Sequence, residues 1–158
     1  MTAPELWQLL SNAVTVFGLP LAIYVFVYQR RRDREAAEET VFVSLSDAYL
    51  DFLRLVVANP DLQLRSSPAL SNPTAEQRER MLLIFDILIA LFERAYILTY
   101  ERDMSPEQLR RWHSWEDYMR EWCRREDFCA ALPELLQGED TEFTEYIRGI
   151  REQERGAC

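Results

Sequence analysis

At 158 residues the chain has room for one domain plus an accessory segment, and its 48% hydrophobic and 28% charged residues exclude wholesale disorder. Four glycines and seven prolines leave little material for a turn-rich β-fold. The net charge of −9 is unevenly placed: beyond Arg34, fourteen arginines face twenty-five acids, about −11, which argues against a nucleic-acid surface built on phosphate contacts.

The pattern predicts an all-α protein. One N-terminal transmembrane helix with a short periplasmic N-terminus occupies 1–29, and a cytoplasmic bundle of about four helices occupies 30–158. Between Glu5 and Arg30 run twenty-four residues without a charge. At about 1.5 Å per residue they cover roughly 36 Å, enough for a ~30 Å hydrocarbon core with some tilt. Trp7 at one end, and Tyr24 and Tyr28 at the other, are placed as interface anchors. Arg30, Arg31, Arg32 and Arg34 follow at once, which puts the C-terminal side in the cytoplasm by the positive-inside rule and the chain in the inner (plasma) membrane. A cleavable signal peptide would carry its charges before the apolar run. A buried helix of a soluble protein would have to explain a run apolar all round that ends in four arginines.

Within the span, Gln8, Ser11, Asn12, Thr15 and Gly18 recur at spacings of three and four and share a face. Small and polar residues on one face favour helix–helix contact in lipid. Solvation of Gln8 to Asn12 at headgroup depth is the alternative. Gly18-Leu19-Pro20 is expected to bend the helix, since Pro20 supplies no N–H.

From Arg34 to Asn59 a helical stripe follows: Val41, Leu45, Ala48, Phe52, Leu55 and Val56. No breaker separates it from the span, so one long helix is allowed. Asn59-Pro60 ends it, and 60–73 reads as a loop with three prolines. Asn72 or Thr74 then caps a helix reaching about Arg102, whose MLLIFDILIALF run is too short and too polar for a second span and reads as the buried central helix of the bundle. Ser105-Pro106-Glu107-Gln108 is a capping-box start. The helix it opens carries Trp112, Trp115, Met119 and Trp122 at core spacing. Pro133 interrupts a short helix around Phe128–Leu132. Gly138 and Thr141 introduce a last helix with Phe143, Ile147 and Ile150 on its apolar side, and the tail from Arg151 is expected to fray.

Chemistry-bearing patterns are few. Asp86 and Glu93 lie seven residues apart on one helix, but a di-iron bundle site needs Glu-x-x-His pairs, and the one histidine occurs in the inverse order His113-x-x-Glu116. His113 reads as structural or exposed. The acids are expected to pair with arginines or reach the bundle edge. Cys123, Cys129 and Cys158 are odd in number and lack C-x-x-C spacing, which suits a reducing compartment and no zinc site. No phosphate loop, dinucleotide fingerprint, nucleophile elbow or HExxH is present. An Arg-four residues-His ribonuclease pattern would need arginine where Gln108 stands. No catalytic residue, cofactor or metal is therefore expected.

With Phe92-Glu93-Arg94-Ala95-Tyr96, then Trp112 and Trp115, then Phe143-x-x-Tyr146-Ile147, most of the chain resembles a group of uncharacterised bacterial membrane proteins. They carry one N-terminal span and a helical domain of unknown function. In layout alone it is also similar to the small membrane accessory protein of type VI-B CRISPR systems, an oligomeric pore-forming family. The first resemblance implies the span-and-bundle plan, and the second implies assembly into a pore.

Three function classes follow. The first is a non-enzymatic, membrane-anchored interaction protein that contacts lipid, self-associates through its span and docks a protein partner with its bundle. The second is an oligomeric membrane effector or pore of a phage-defence system. The third is a metal-dependent bundle enzyme.

Overall fold

The computed structural model describes residues 3–66 and 69–156, with side chains for all of these except 3–20, 31 and 35. The chain is all-helical. Its elements are α1 (Ala3–Ala58), a 3-10 turn (Pro60–Leu62), α2 (Ala75–Thr99), α3 (Pro106–Cys123), α4 (Glu126–Leu135) and α5 (Thr141–Gly156). No strand occurs among the described residues.

Two compact units divide the chain, Met1–Val43 and Ser44–Cys158. The sequence divides it at 29/30, where charge begins. The units part instead where α1 starts to bury side chains, with Leu45 the first fully buried one. In the first unit the backbone is helical from Ala3 onward and continues through Gly18-Leu19-Pro20.

The second unit is a bundle made by the end of α1 together with α2 to α5. Leu45, Tyr49, Phe52 and Val56 turn the inner face of α1 into it, while Val41, Ala48 and Leu55 of the predicted stripe are half-buried. Two capping boxes start the next long helices. The Thr74 hydroxyl accepts from Gln77 N at 3.2 Å, and the Gln77 side chain accepts from Thr74 N at 3.0 Å. Ser105 and Gln108 repeat the exchange at 3.3 and 2.9 Å. Each box satisfies two donors that a helix start otherwise leaves open.

Helices α2 and α3 share the centre of the bundle, each packing on the other and on α4 and α5. Trp112, Trp115, Met119, Trp122 and Cys123 are all buried, as the tryptophan spacing predicts, and α3 packs on α2, α4 and α5. The Trp122 ring meets Phe52 of α1, Phe85 of α2 and Phe128 of α4 at centroid distances of 5.6, 6.1 and 5.9 Å. Trp112 lies 5.9 Å from Tyr96 and 5.6 Å from Tyr146, and its indole N–H donates to the Tyr146 hydroxyl at 3.1 Å. Edge-to-face contacts of this kind add to the burial of the rings themselves. The expectation that α2 is surrounded fails. One face buries nine residues, but Leu83, Ile87, Ile97 and Leu98 on the opposite face stay exposed among the described residues.

Three further boundaries differ from expectation. Helix α2 ends at Thr99, since Tyr100 turns extended and its ring stacks on Tyr96 at 4.7 Å. Pro133 does not stop α4, which runs to Leu135. The N–H it lacks is one bond, and burial of Leu132, Leu135 and Leu136 holds the last turn. The tail is helical to Gly156, because Glu154 accepts from Arg120 at 3.1 Å and Arg124 at 2.7 Å and pins it to α3.

The segment read as a loop also joins the core. Leu62 and Leu64 are buried, and Gln63 between them is left-handed at φ 49°. One guanidinium fixes this strap. Arg125 donates to the carbonyls of Gln63, Leu64 and Ser66 at 3.3, 2.8 and 2.9 Å, and forks onto Asp127 at 3.1 and 2.7 Å.

Removing the ring that joins three helices should leave a cavity that the bundle cannot close. Trp122→Ala, and likewise Trp115→Ala, should cost roughly 3–5 kcal/mol, a large share of the ~5–15 kcal/mol of a typical domain. Thermal melts of the full-length chain check this; a melting point within a degree of wild type would contradict the core assignment. Arg125→Lys should loosen the strap selectively, because one ammonium cannot serve three carbonyls and a carboxylate fork. Hydrogen exchange should rise at 62–66 and stay unchanged in α5.

Candidate functional site

A helix in water normally hides its apolar side chains along one stripe. Residues 21–28, LAIYVFVY, do not. All eight are exposed on helical backbone, with Leu21 at 63%, Tyr24 at 66% and Phe26 at 60%. Apolar side chains point to every side of the helix, so no single groove could cover them. Tyr24 and Tyr28, one turn apart, stack at 6.3 Å. The Arg30 guanidinium lies 5.9 Å over the Phe26 ring, turned back toward the apolar run. Arg32 and Arg34 are exposed beyond it.

Tyr24, Tyr28, Arg30, Arg32 and Arg34 therefore stand together at one end of the uncharged run. The side chains of Trp7, Gln8, Ser11, Asn12, Thr15, Gly18 and Arg31 lie outside the described residues. Among the described residues, no helix is long and apolar enough to cross a membrane.

The bundle offers little chemistry. Among the described residues, no group of three or more His, Cys, Asp or Glu is arranged to hold a metal ion. His113 is exposed and lies 3.7 Å from Glu116. Burial pushes the Cys123 thiol up to about 12, and also raises that of Cys129, whose S–H donates to the Cys123 carbonyl at 2.8 Å. Both stay protonated at neutral pH, which removes the nucleophilic form. Two open clefts flank the α3–α4 corner. One of about 380 Å³ lies against Leu64 and Trp122, and one of about 420 Å³ against Cys129 and Arg151. Neither brings a nucleophile to a base. Burial drives the Tyr146 phenol up to about 12, so it too is inert.

The predicted acids behave differently from each other. Asp86 reaches the bundle edge and is exposed. Glu93 is half-buried and pairs with no arginine in the described structure; its Oε1 accepts from Asp140 N at 2.5 Å. Asp140 in turn caps α5, its Oδ1 accepting from Phe143 N at 2.9 Å. Glu139, which no sequence signal singles out, shares a hydrogen bond with Glu93. Burial first, and then the Glu93 carboxyl, raise its own carboxyl to about 7. The raised Glu139 carboxyl beside Glu93 forms a clip at the start of α5.

The clip makes stability depend on pH. A carboxyl held above its ordinary value of 4.5 contributes fully below about 4.5, and its contribution is lost as pH rises through about 7. Glu139→Gln keeps a donor and removes the titration. In denaturant melts at several pH values, the variant's stability relative to wild type should climb between pH 4.5 and 7 and flatten above. A difference constant across that window would contradict the protonated clip.

No family model, no curated protein and no solved structure matches the chain.

Proposed function

We propose that this chain is a single-pass membrane anchor carrying a non-enzymatic, cytoplasmic, helical interaction domain, and that it self-associates within the inner membrane. The observation that carries the reading is the exposed run 21–28, apolar on every side and closed by Arg30. Exposed apolar surface of this extent is costly in water at roughly 25 cal/mol per Å² and marks contact with lipid or another chain. The run is the end of a twenty-four-residue uncharged stretch in the sequence. Its tyrosines and arginines have the character of an interfacial belt followed by a cytoplasmic flank.

The same reading gives the spans a reason to pair. Gln8, Ser11, Asn12 and Thr15 recur on one face of α1, with Gly18 below them, and polar groups in hydrocarbon gain about 0.6–2 kcal/mol per interhelical hydrogen bond.

Three measurements test this. The full-length chain should require detergent for extraction, and a reporter fused after Cys158 should be active only in the cytoplasm. Mass photometry in detergent should show an oligomer that weakens when Asn12→Leu and Thr15→Leu are combined. A freely soluble full-length chain, or a periplasmic reporter, would overturn the anchor. An oligomer indifferent to the double substitution would remove the stripe from the contact.

A further inference from the structure

The uncovered face of α2 has an order of its own. Leu83, Asp86, Ala90, Arg94 and Ile97 are all exposed, and their spacing of three, four, four and three reads the same in both directions about Ala90. Leu83 and Ile97 are 57% and 58% exposed. Ile87, 49% exposed, widens the apolar strip beside Ala90. At about 1.5 Å per residue the stripe is roughly 21 Å long.

We infer that this face docks the same face of a second copy of the chain, the two α2 helices crossing antiparallel on a two-fold axis at Ala90. A two-fold contact is self-complementary, so residue i of one copy meets residue j of the other and j meets i. On an axis at Ala90, Leu83 meets Ile97 twice and Asp86 meets Arg94 twice. Apolar side chains therefore face apolar ones, and each acid faces a base. The small Ala90 side chain sits where the helices approach most closely. Within one copy Asp86 and Arg94 are eight residues apart, more than two turns, so neither can serve the other. Among the described residues Arg94 has no acid partner in its own chain.

A lipid surface would ask only for apolar residues flanked by basic ones and gives no reason for an acid at 86. Glu79 lies one step further out at the N-terminal end of the stripe, and at the other end the helix stops at Thr99. The helix end and Glu79 bound the contact at the five central positions. The contact is made by residues of the Ser44–Cys158 unit alone.

The test is site-specific cross-linking of the full-length chain in detergent. Ala90→Cys, adjacent to the axis, should form an intermolecular disulfide on mild oxidation well above the level given by the native cysteines alone. In that background Asp86→Arg should lower the cross-linked fraction about tenfold, and so should Arg94→Asp, because each sets like charges against each other twice. Combining the two reversals should restore it. All three positions are exposed, and matched thermal melts establish that the variants fold alike. No cross-link at Ala90→Cys would overturn the proposal. A cross-link unmoved by either reversal, or one lost and not restored by the double reversal, would overturn it as well and leave the face to lipid or to a different protein. None of these readouts bears on extraction or on the reporter after Cys158, so the anchor stands or falls separately.

Discussion

The bundle depends on a shortage. Helix α3 has one apolar face, and four other elements must share it. Trp112, Trp115 and Trp122 solve this by size. Each ring is large enough to touch more than one neighbour, so α1, α2, α4 and α5 are held to a common centre without any of them being wholly apolar. A leucine at 122 could not meet Phe52, Phe85 and Phe128 together, since the three partners lie on three helices around the indole. The remaining elements are then trimmed by electrostatics. Glu154 is held ionised by Arg124 and Arg120, Arg80 binds Asp61 at 2.5 Å beside the 3-10 turn, and Arg125 clasps the strap. Ion pairs at such exposed positions contribute little one at a time. Their effect is to choose where ends and loops lie once the rings have packed.

Helix α2 packs on α3, α4 and α5 and still has a naked side. A helix that packs through one side needs one apolar face, yet α2 carries apolar residues on both. The surplus is Leu83, Ile87, Ile97 and Leu98, and a monomer gives them nothing to do. The exposed run at 21–28 is a surplus of the same sort in the other unit. The chain thus carries more apolar surface than its own fold consumes, at two places with different character. One is apolar in every direction, and the other is a narrow strip with an acid and a base set symmetrically into it. Surfaces that differ this much suit different solvents or partners.

Local signals carried most of the architecture. The capping boxes at Thr74 and Ser105, the stripe 45–56 and the tryptophan spacing are patterns within one helix, and each reports a face or an end directly. What could not be read locally was anything that two distant segments make together. Arg125 looks like any solvated arginine until the strap passes within reach of it, some sixty residues away in sequence. Glu139 is one of many acids until Glu93 faces it. The helical tail to Gly156 needs Arg120 and Arg124, thirty-four and thirty residues back, to meet Glu154. The open face of α2 was missed because its hydrophobicity predicts burial all round, whereas Leu83, Ile87, Ile97 and Leu98 stay exposed. The candidate site was legible at its described end, the tyrosines and arginines after the uncharged run, since these are neighbours in the chain.

Arg125 grips oxygens of the main chain rather than side chains, and this sets what mutation can do to the strap. The carbonyls of 63, 64 and 66 are present whatever residues stand there, so the clasp is blind to their identity. Only Leu64, buried, and position 63, whose φ of 49° favours glycine or asparagine, carry a steric requirement. Arg65 meets Glu121 at 2.8 Å, but both are about half exposed, and little is lost without that pair. Neutral drift can therefore rewrite 65 and 66 freely while the path of the chain stays put. Two descendants of this protein could share no letter across those positions and still superimpose there, provided each kept the arginine at 125.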